Sequence, residues 1–501
     1  MKKYIIIFIS VLWSLNIFSQ TVNGVIDYED QQFKIVKVWG THEERGYAVG
    51  YLLGEGTNDL MENYLLPAFG SYYDMARNLL LTDAHLKIDS VYIYEAMAMA
   101  EGLNDSGEMS MEVDYIDILL ANSFLDFENF LSKGLGLENG CSSLIDWGLA
   151  TAGTDLDGKS VISRHLDWDD QDVIIRNQVL IIHFPSEVDE QPWALIGFEG
   201  QMSVLSGFNQ SGVAIMQHML SDEYTAASLN QGYEPVWFTM RKAIETNDFN
   251  GDGNNNCLDI NAAVNINTNG FADSYIITGV APSTFENNNE IATIIELAPA
   301  SPYITIRNTD YEDGIPGDNL YAANWTIARN DALHYCTRYN AIMTNFGDGT
   351  GIGKQENWDL MINHSSACVP GGYGNIQFMQ YVPEDNYFKL AIHTVGGVQA
   401  CENVPVEYNT LDLFDIPTII DHSKSKLKIK TYPNPAADNV TFYIPGIADE
   451  DELVIYNSIG KQVKRLNVNV GNTNIDISDL EQGVYLIRLI NSGLQTKLIV
   501  K

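Results

Sequence analysis

Positive charge is what this sequence has least of: 28 Lys and Arg stand against 66 Asp and Glu over 501 residues, a net charge of -38. The deficit is uneven. Residues 424–501 hold 10 Lys and Arg and 8 Asp and Glu, which leaves 18 and 58, or -40, for the rest. A field of that sign repels phosphate backbones and anionic lipid, so no nucleic-acid partner is expected. Cysteine is scarce too, at five: Cys141, Cys257, Cys336, Cys368 and Cys401. The odd count leaves an exported chain with at least one unpaired thiol. No CxxC or HExxH spacing occurs and the nine histidines are scattered, so a zinc site has no sequence support. Past the N-terminus no apolar run approaches the roughly 20 residues of a membrane span, which excludes a transmembrane anchor.

What is present is a globular composition, 45% hydrophobic and 11% aromatic. At this length more than one folded unit is expected. The opening MKKYIIIFISVLWSLNIFSQ has two lysines, an apolar run and a small, polar end, which reads as a secretory signal peptide over residues 1–20. The mature chain is thus expected to be exported.

Residues 57–135 read mainly as helices, with apolar residues three and four apart in "VYIYEAMAMAEGL" and "VDYIDILLANSFLDFENFL". From Ser143 the texture changes to short β runs between Gly, Asp and Asn: "KSVISRHLDW", "QVLIIHFP", "WALIGFEG", "GVAIMQHML", "SYIITGV" and "YITIRN". These predict one or two antiparallel sheets. A helix is predicted at 234–246, with Pro235 in its first turn and Trp237, Met240 and Ile244 on one face. The body is read as 21–415, a linker as 416–428 around "HSKSKLKIK", and a tail of alternating strands as 429–501, a small β-sandwich.

The stretch that carries chemistry is "ENGCSSLIDWGLATAGTDLDGKSVISRHLDWDD". A free thiol with a pKa near 8.5 is only partly ionised at neutral pH, so Cys141 needs an activator. Cleavage between Gly140 and Cys141 supplies one, because the new α-amino group lies beside the thiol. After the turn at Asp155–Gly158, a strand carrying Arg164 and Asp167 can return to the cysteine as the second strand of a hairpin. There an arginine favours the thiolate and a carboxylate orients the amine.

Cys followed by small residues, a turn and R-x-x-D-W resembles the autoproteolytic acyltransferase and hydrolase family that includes penicillin acyltransferase. More distant resemblances are to choloylglycine hydrolase and acid ceramidase. "VWGTHEERGYAVGYLLGE" resembles that family's G-x-x-x-E-x-G-Y-x-x-G opening, "SGFNQSGVAIMQH" its N-x-x-G strand, and "LYAANWTIARNDALHYCTRYNAI" its T-N-H-F segment with a following Ser/Thr-Arg pair. Ser163, His165, Ala323 and Trp325 depart from the usual residues.

The resemblance implies an α+β, four-layer αββα N-terminal-nucleophile fold. In it Cys141 is the nucleophile, Arg164 and Asp167 polarise it, Asn324 is an oxyanion donor and Arg338 a nearby or substrate-binding cation. It implies a secreted amide hydrolase or acyltransferase of small acyl-amides that works through an acyl-enzyme without a catalytic cofactor. Two alternatives stand beside it: a phospholipase-B-like or N-acylethanolamide lipid hydrolase, and an inactive calcium-stabilised surface protein.

"DFNGDGNNNCLD" places Asp248, Asn250, Asp252, Asn254, Asn256 and Asp259 as oxygen ligands around Gly253. It resembles an EF-hand or dockerin loop, with one plausible flanking helix before it, and implies a structural Ca2+. In the tail, "YPNP", "IYNSIG", "GVYLIR" and "KLIVK" follow in the order of the C-terminal sorting domain of the type IX secretion system of Bacteroidetes. That resemblance implies the type IX machinery as a partner and a secreted or cell-surface destination.

Overall fold

In the computed structural model the described residues are 21–501 apart from 31, 82–83, 131–139, 221–226, 228–230, 308–313, 330–336, 366–367, 369–373, 417–429, 433, 445–449, 458–460, 470, 481 and 490–494. The signal peptide, nearly all of the linker and Cys336 therefore lie outside the described residues. Two sheets form the body. The larger has the order β1 (Gly24–Glu29), β2 (Phe33–Gly40), β5 (Gln178–Pro185), β6 (Trp193–Phe198), β7 (Ser206–Asn209), β8 (Ala214–Met219), β9 (Tyr275–Val280), β10 (Ala292–Leu297) and β11 (Ile304–Arg307). The smaller runs β12 (Asn319–Ala322), β3 (Cys141–Asp146), β4 (Val161–Asp167), β13 (Asn375–Val382), β14 (Tyr387–Ile392) and β15 (Val406–Asn409). All neighbours are antiparallel except β2 and β5.

Successive side chains of a strand point to opposite faces, so a strand covered on both sides reads as an unbroken apolar run. β5 is such a strand. Val179 and Ile181 join a cluster with the helices, whereas Leu180, Ile182 and Phe184 join a second cluster with Ile145, Ile162, Met379 and Leu390 of the smaller sheet. The other face of the smaller sheet presents Leu144, Tyr321 and Phe378 to Tyr339 and Ile342 of helix Thr337–Asn345, and to Trp358 and Met361 of helix Lys354–His364.

The leader is helical as predicted, notably over Ser90–Ser106 and Tyr115–Asn122. Ahead of it, β1 and β2 add strands that the sequence reading did not anticipate. The "HEERGYAVG" block forms helix His42–Leu52, opened by a Thr41–Glu44 capping box. A Cβ on Gly46 would stand 2.5 Å from the Glu95 carbonyl oxygen, and one on Gly50 2.2 Å from that of Met99, so glycine is what lets this helix cross 90–106 closely. Beneath the crossing, Arg241 binds Glu95 (2.6 Å) and Glu245 (2.8 Å), and His42 bridges Glu95 (2.5 Å) and Glu190 (2.7 Å). Burial pulls the His42 pKa down, but the two carboxylates outweigh it and raise it to about 9. His42, Glu190 and Glu245 form the one cluster with metal-ligand spacing among the described residues. Arg45, Arg241 and Tyr92 already engage its carboxylates, so it reads as an ion-pair network.

The predicted helix at 234–246 is Val236–Glu245, with Pro235 as its N-cap. In the tail, one sheet (Lys430–Tyr432, Asn439–Ile444, Gly471–Asp476) and another (Gln462–Asn469, Glu450–Tyr456, Gly483–Leu489, Gln495–Val500) share a core of Val440, Phe442, Leu453, Ile455 and Ile487. Among the described residues no helix is long and apolar enough to cross a membrane.

Candidate active site

β3 and β4 form the predicted antiparallel hairpin, pairing Cys141 with Leu166 and Ser143 with Arg164. Pairing of β12 with β3 then sets Ala322 opposite Ser143, which carries Asn324 to the start of β3. Helix Thr337–Asn345 delivers Arg338 from the far side. Residues spread over almost 200 positions thus meet around one peptide bond.

That bond, between Gly140 and Cys141, is held on every side. The Asp167 N–H donates to the Gly140 carbonyl (2.8 Å). The Cys141 N–H donates to Asn324 Oδ1 (2.8 Å), Arg338 Nη1 to the Cys141 carbonyl (3.1 Å), and Arg338 Nη2 to Asn324 Oδ1. Arg164 Nη2 donates to the Gln217 carbonyl (2.8 Å) and lies 3.8 Å from Cys141 Sγ. Cys141, Arg164, Asp167 and Asn324 are all buried. The resemblance made Asn324 an oxyanion donor; here its oxygen accepts the Cys141 backbone N–H, while its Nδ2 donates to the Met219 carbonyl (2.6 Å).

The electrostatics follow from burial. Desolvation pushes the Cys141 thiol above its ordinary value, and Arg164 opposes the shift. Desolvation also lifts Asp167 to about 7, against a hydrogen bond from Asn375 and the charges of Arg338 and Arg164. Two guanidiniums against one carboxylate leave a positive charge that a thiolate neutralises. Arg164 Nε and Nη1 are buried without a hydrogen-bond partner, a costly state for a guanidinium that an incoming anion relieves.

The departures from the family pattern find other partners. Ser163 binds Asn357, and His165 meets the Met361 carbonyl (3.2 Å) and stacks on Phe378. His218, on β8, pairs with Ser143 (2.8 Å) and is held neutral by burial. Asn375, Gln217 and Met219 were missed from sequence because only β13 and β8 bring them close. The disulfide, between Cys368 and Cys401, was unreadable for the same reason; Cys141 and Cys257 are free and buried.

In the second motif, Asp248 accepts the N–H groups of Gly251 (2.8 Å), Asp252 (3.0 Å) and Gly253 (2.8 Å), and Asn250 and Asp252 lie within hydrogen-bond reach (2.9 Å). Asn254 donates its backbone N–H to Asp252 (2.8 Å). Asn256 and Asp259 are buried and build a capping box for helix Cys257–Asn265, a second flanking helix that the sequence reading lacked. Asn250, Asp252 and Asn254 are exposed and offer oxygen atoms of the kind a hard cation such as Ca2+ takes, whereas Asp259 already accepts the N–H groups of Phe249 (2.6 Å), Asn250 (3.1 Å) and Asn256 (2.8 Å).

Residues 430–501 match the family described as secretion system C-terminal sorting domain, so the expected sorting tail is present and addresses the chain to the type IX route. Over 70 residues the chain is 37% identical to beta-agarase A of Zobellia galactanivorans, covering 14% of this chain and 13% of that protein. The chain thus spans only about 13% of the length of that curated relative. Among solved structures, a Caenorhabditis elegans ortholog of N-acylethanolamine-hydrolyzing acid amidase aligns at 14% identity and TM-score 0.33, covering 48% of this chain and 93% of that one. A mutant of the conjugated bile acid hydrolase of Clostridium perfringens aligns at 10% identity and TM-score 0.31, covering 55% and 99%. Likeness at this level decides nothing about activity here.

Proposed function

We propose that the body, residues 21–415, is an N-terminal-nucleophile cysteine amidohydrolase or acyltransferase of four-layer αββα type, matured by its own cleavage at Gly140–Cys141. The observation that carries the reading is a Gly-Cys peptide bond, half-buried at Gly140 and buried at Cys141, whose carbonyl, amide and thiol each meet a different polar group. Asp167, ionised in part near neutral pH, takes the thiol proton. Sγ then attacks the Gly140 carbonyl carbon, and the Asp167 N–H holds the oxyanion. The C–N bond breaks, the Cys141 nitrogen takes up the proton, and a thioester remains. Water cleaves the C–S bond, leaving a Gly140 carboxylate, a free thiol and an α-amino group held by Asn324. Once Gly140 has left, the Asp167 N–H is free to receive the carbonyl oxygen of a substrate amide. The same attack gives an acyl-enzyme that water or an acceptor amine releases.

The acyl group is read as apolar. An apolar cavity of about 80 Å³ is lined by Leu60, Met61, Tyr64, Trp168, Leu205 and Trp237. Trp168 follows Asp167 in the chain, and Trp237 donates to Gln217 Oε1 (3.3 Å), the residue whose carbonyl holds Arg164. This favours N-acyl amides with hydrocarbon or aryl acyl groups, including the lipid-amide alternative. Residues 248–259 are read as a loop that a structural Ca2+ rigidifies, apart from catalysis.

Intact-mass and N-terminal sequencing of the exported protein test the reading. Two fragments, one ending at Gly140 and the other beginning at Cys141, and a single uncut chain in Cys141→Ala, are expected, together with acyl release from N-acyl amino acids. An uncut wild type that behaves identically to Cys141→Ala would instead mark an inactive surface protein.

A further inference from the structure

Asn375 is fully buried at the start of β13, where the pairing with β4 slips between Asn375 and Gln377. Such bulges re-aim a side chain, and here Asn375 Nδ2 donates to Asp167 Oδ1 (2.7 Å). Its Oδ1 accepts the Cys401 N–H (2.9 Å), and its own N–H donates to Gln399 Oε1 (3.3 Å). Because a backbone N–H must meet an oxygen, the amide can face only one way, with its nitrogen on Asp167. The turn Ala400–Glu402 that orients Asn375 is tied by the Cys368–Cys401 disulfide to the chain just before β13.

We infer that Asn375 is a positioning residue for Asp167 and that the Cys368–Cys401 disulfide keeps it in place, so that the site at Cys141 reaches full reactivity only in the oxidised chain. The inference rests on the proposed self-cleavage. Disulfides form outside the cytoplasm, so the device couples maturation to export. In the balanced step, glutathione disulfide oxidises the two thiols to the protein disulfide and is itself reduced to two glutathione thiols. Asp167 is faced by Arg164 on its own strand, Cys141 on β3, Arg338 on helix 337–345 and Asn375 on β13. His165, driven down to about 3 by burial, stays neutral and adds no charge. Asn375 donates to the ionised carboxylate, so its loss moves Asp167 to a higher pKa and the rising limb of the cleavage rate to higher pH.

The test uses full-length precursor purified from a reducing cytoplasm and transferred to a pH series with or without glutathione disulfide, with cleavage followed by intact mass. Relative to oxidised wild type, Asn375→Leu should shift the limb up by about one pH unit, a roughly tenfold slower rate on the limb. Unoxidised wild type and a Cys368→Ser/Cys401→Ser variant should shift the same way. Adding Asn375→Leu to that variant should shift it no further than Asn375→Leu alone. An unchanged profile for Asn375→Leu, additive shifts, or equal rates with and without oxidation overturn the inference. Should Asn375→Leu not fold, the oxidised-against-reduced wild-type comparison decides. Failure of oxidised wild type to cleave at any pH instead overturns the proposed function.

Discussion

Replacing Arg164 with methionine separates its proposed catalytic role from its structural one. The guanidinium lies 3.8 Å from Cys141 Sγ in a fully buried site. At an effective dielectric of about 20, that separation is worth about 4 kcal/mol of attraction to a thiolate. Without it the thiolate fraction at neutral pH falls roughly 1000-fold. A more basic thiolate is a better nucleophile, which with a Brønsted slope of about 0.4–0.5 returns some 20-fold. The net expectation is self-cleavage about 50-fold slower, recovering as pH rises. Stability should move the other way. Arg164 has two N–H sites without partners, and a buried charge without its full set of hydrogen bonds costs stability that an apolar side chain of similar volume gives back. Time-resolved intact mass and thermal melting on Arg164→Met read both quantities. Cleavage at the wild-type rate, or loss of cleavage only together with a collapsed melting temperature, would refute the reasoning.

Ala121→Leu narrows the apolar cavity; kcat/KM for long-chain N-acyl amides should fall about tenfold while acetyl amides and self-cleavage are spared, for a packing cost of about 1–3 kcal/mol. The His42 pKa lies above its unfolded value of 6.5, so its contribution is fully present below 6.5 and is lost as pH rises through about 9. Denaturant titrations should show roughly 3 kcal/mol disappearing over that window, and a flat profile there in His42→Gln. Calcium at about 100 times its dissociation constant should stabilise the body by about 2.7 kcal/mol. Asp248→Ala should abolish that rise in melting temperature without slowing cleavage, and an unchanged melting temperature in wild type would dismiss the ion.

The arrangement of the candidate site was legible where residues are neighbours on one hairpin. The spacing of Cys141, Arg164 and Asp167 on two short strands fixes their meeting, because strand periodicity and a turn leave few other registers. β5 was read to its ends, since a strand covered on both faces is apolar throughout. The four blocks of the sorting tail were readable in the same way, each being a local pattern. The helix at 257–265 was overlooked although Asn256 and Asp259 spell its capping box. Asn324 and Arg338 entered only by resemblance, because nothing local announces a residue that acts across a sheet.

Tertiary structure alone decided the rest. Asn375 reaches Asp167 over 208 residues through β13 pairing, and the Cys368–Cys401 bond follows from the turn that β14 carries back. The cavity is walled by leader helices against β6 and β7 loops, and β2 lies parallel to β5 across a gap of more than a hundred residues. A sequence states which side chains alternate along a strand. Which strands lie side by side, and so which buried charges must share one proton, is settled only when both sheets pack.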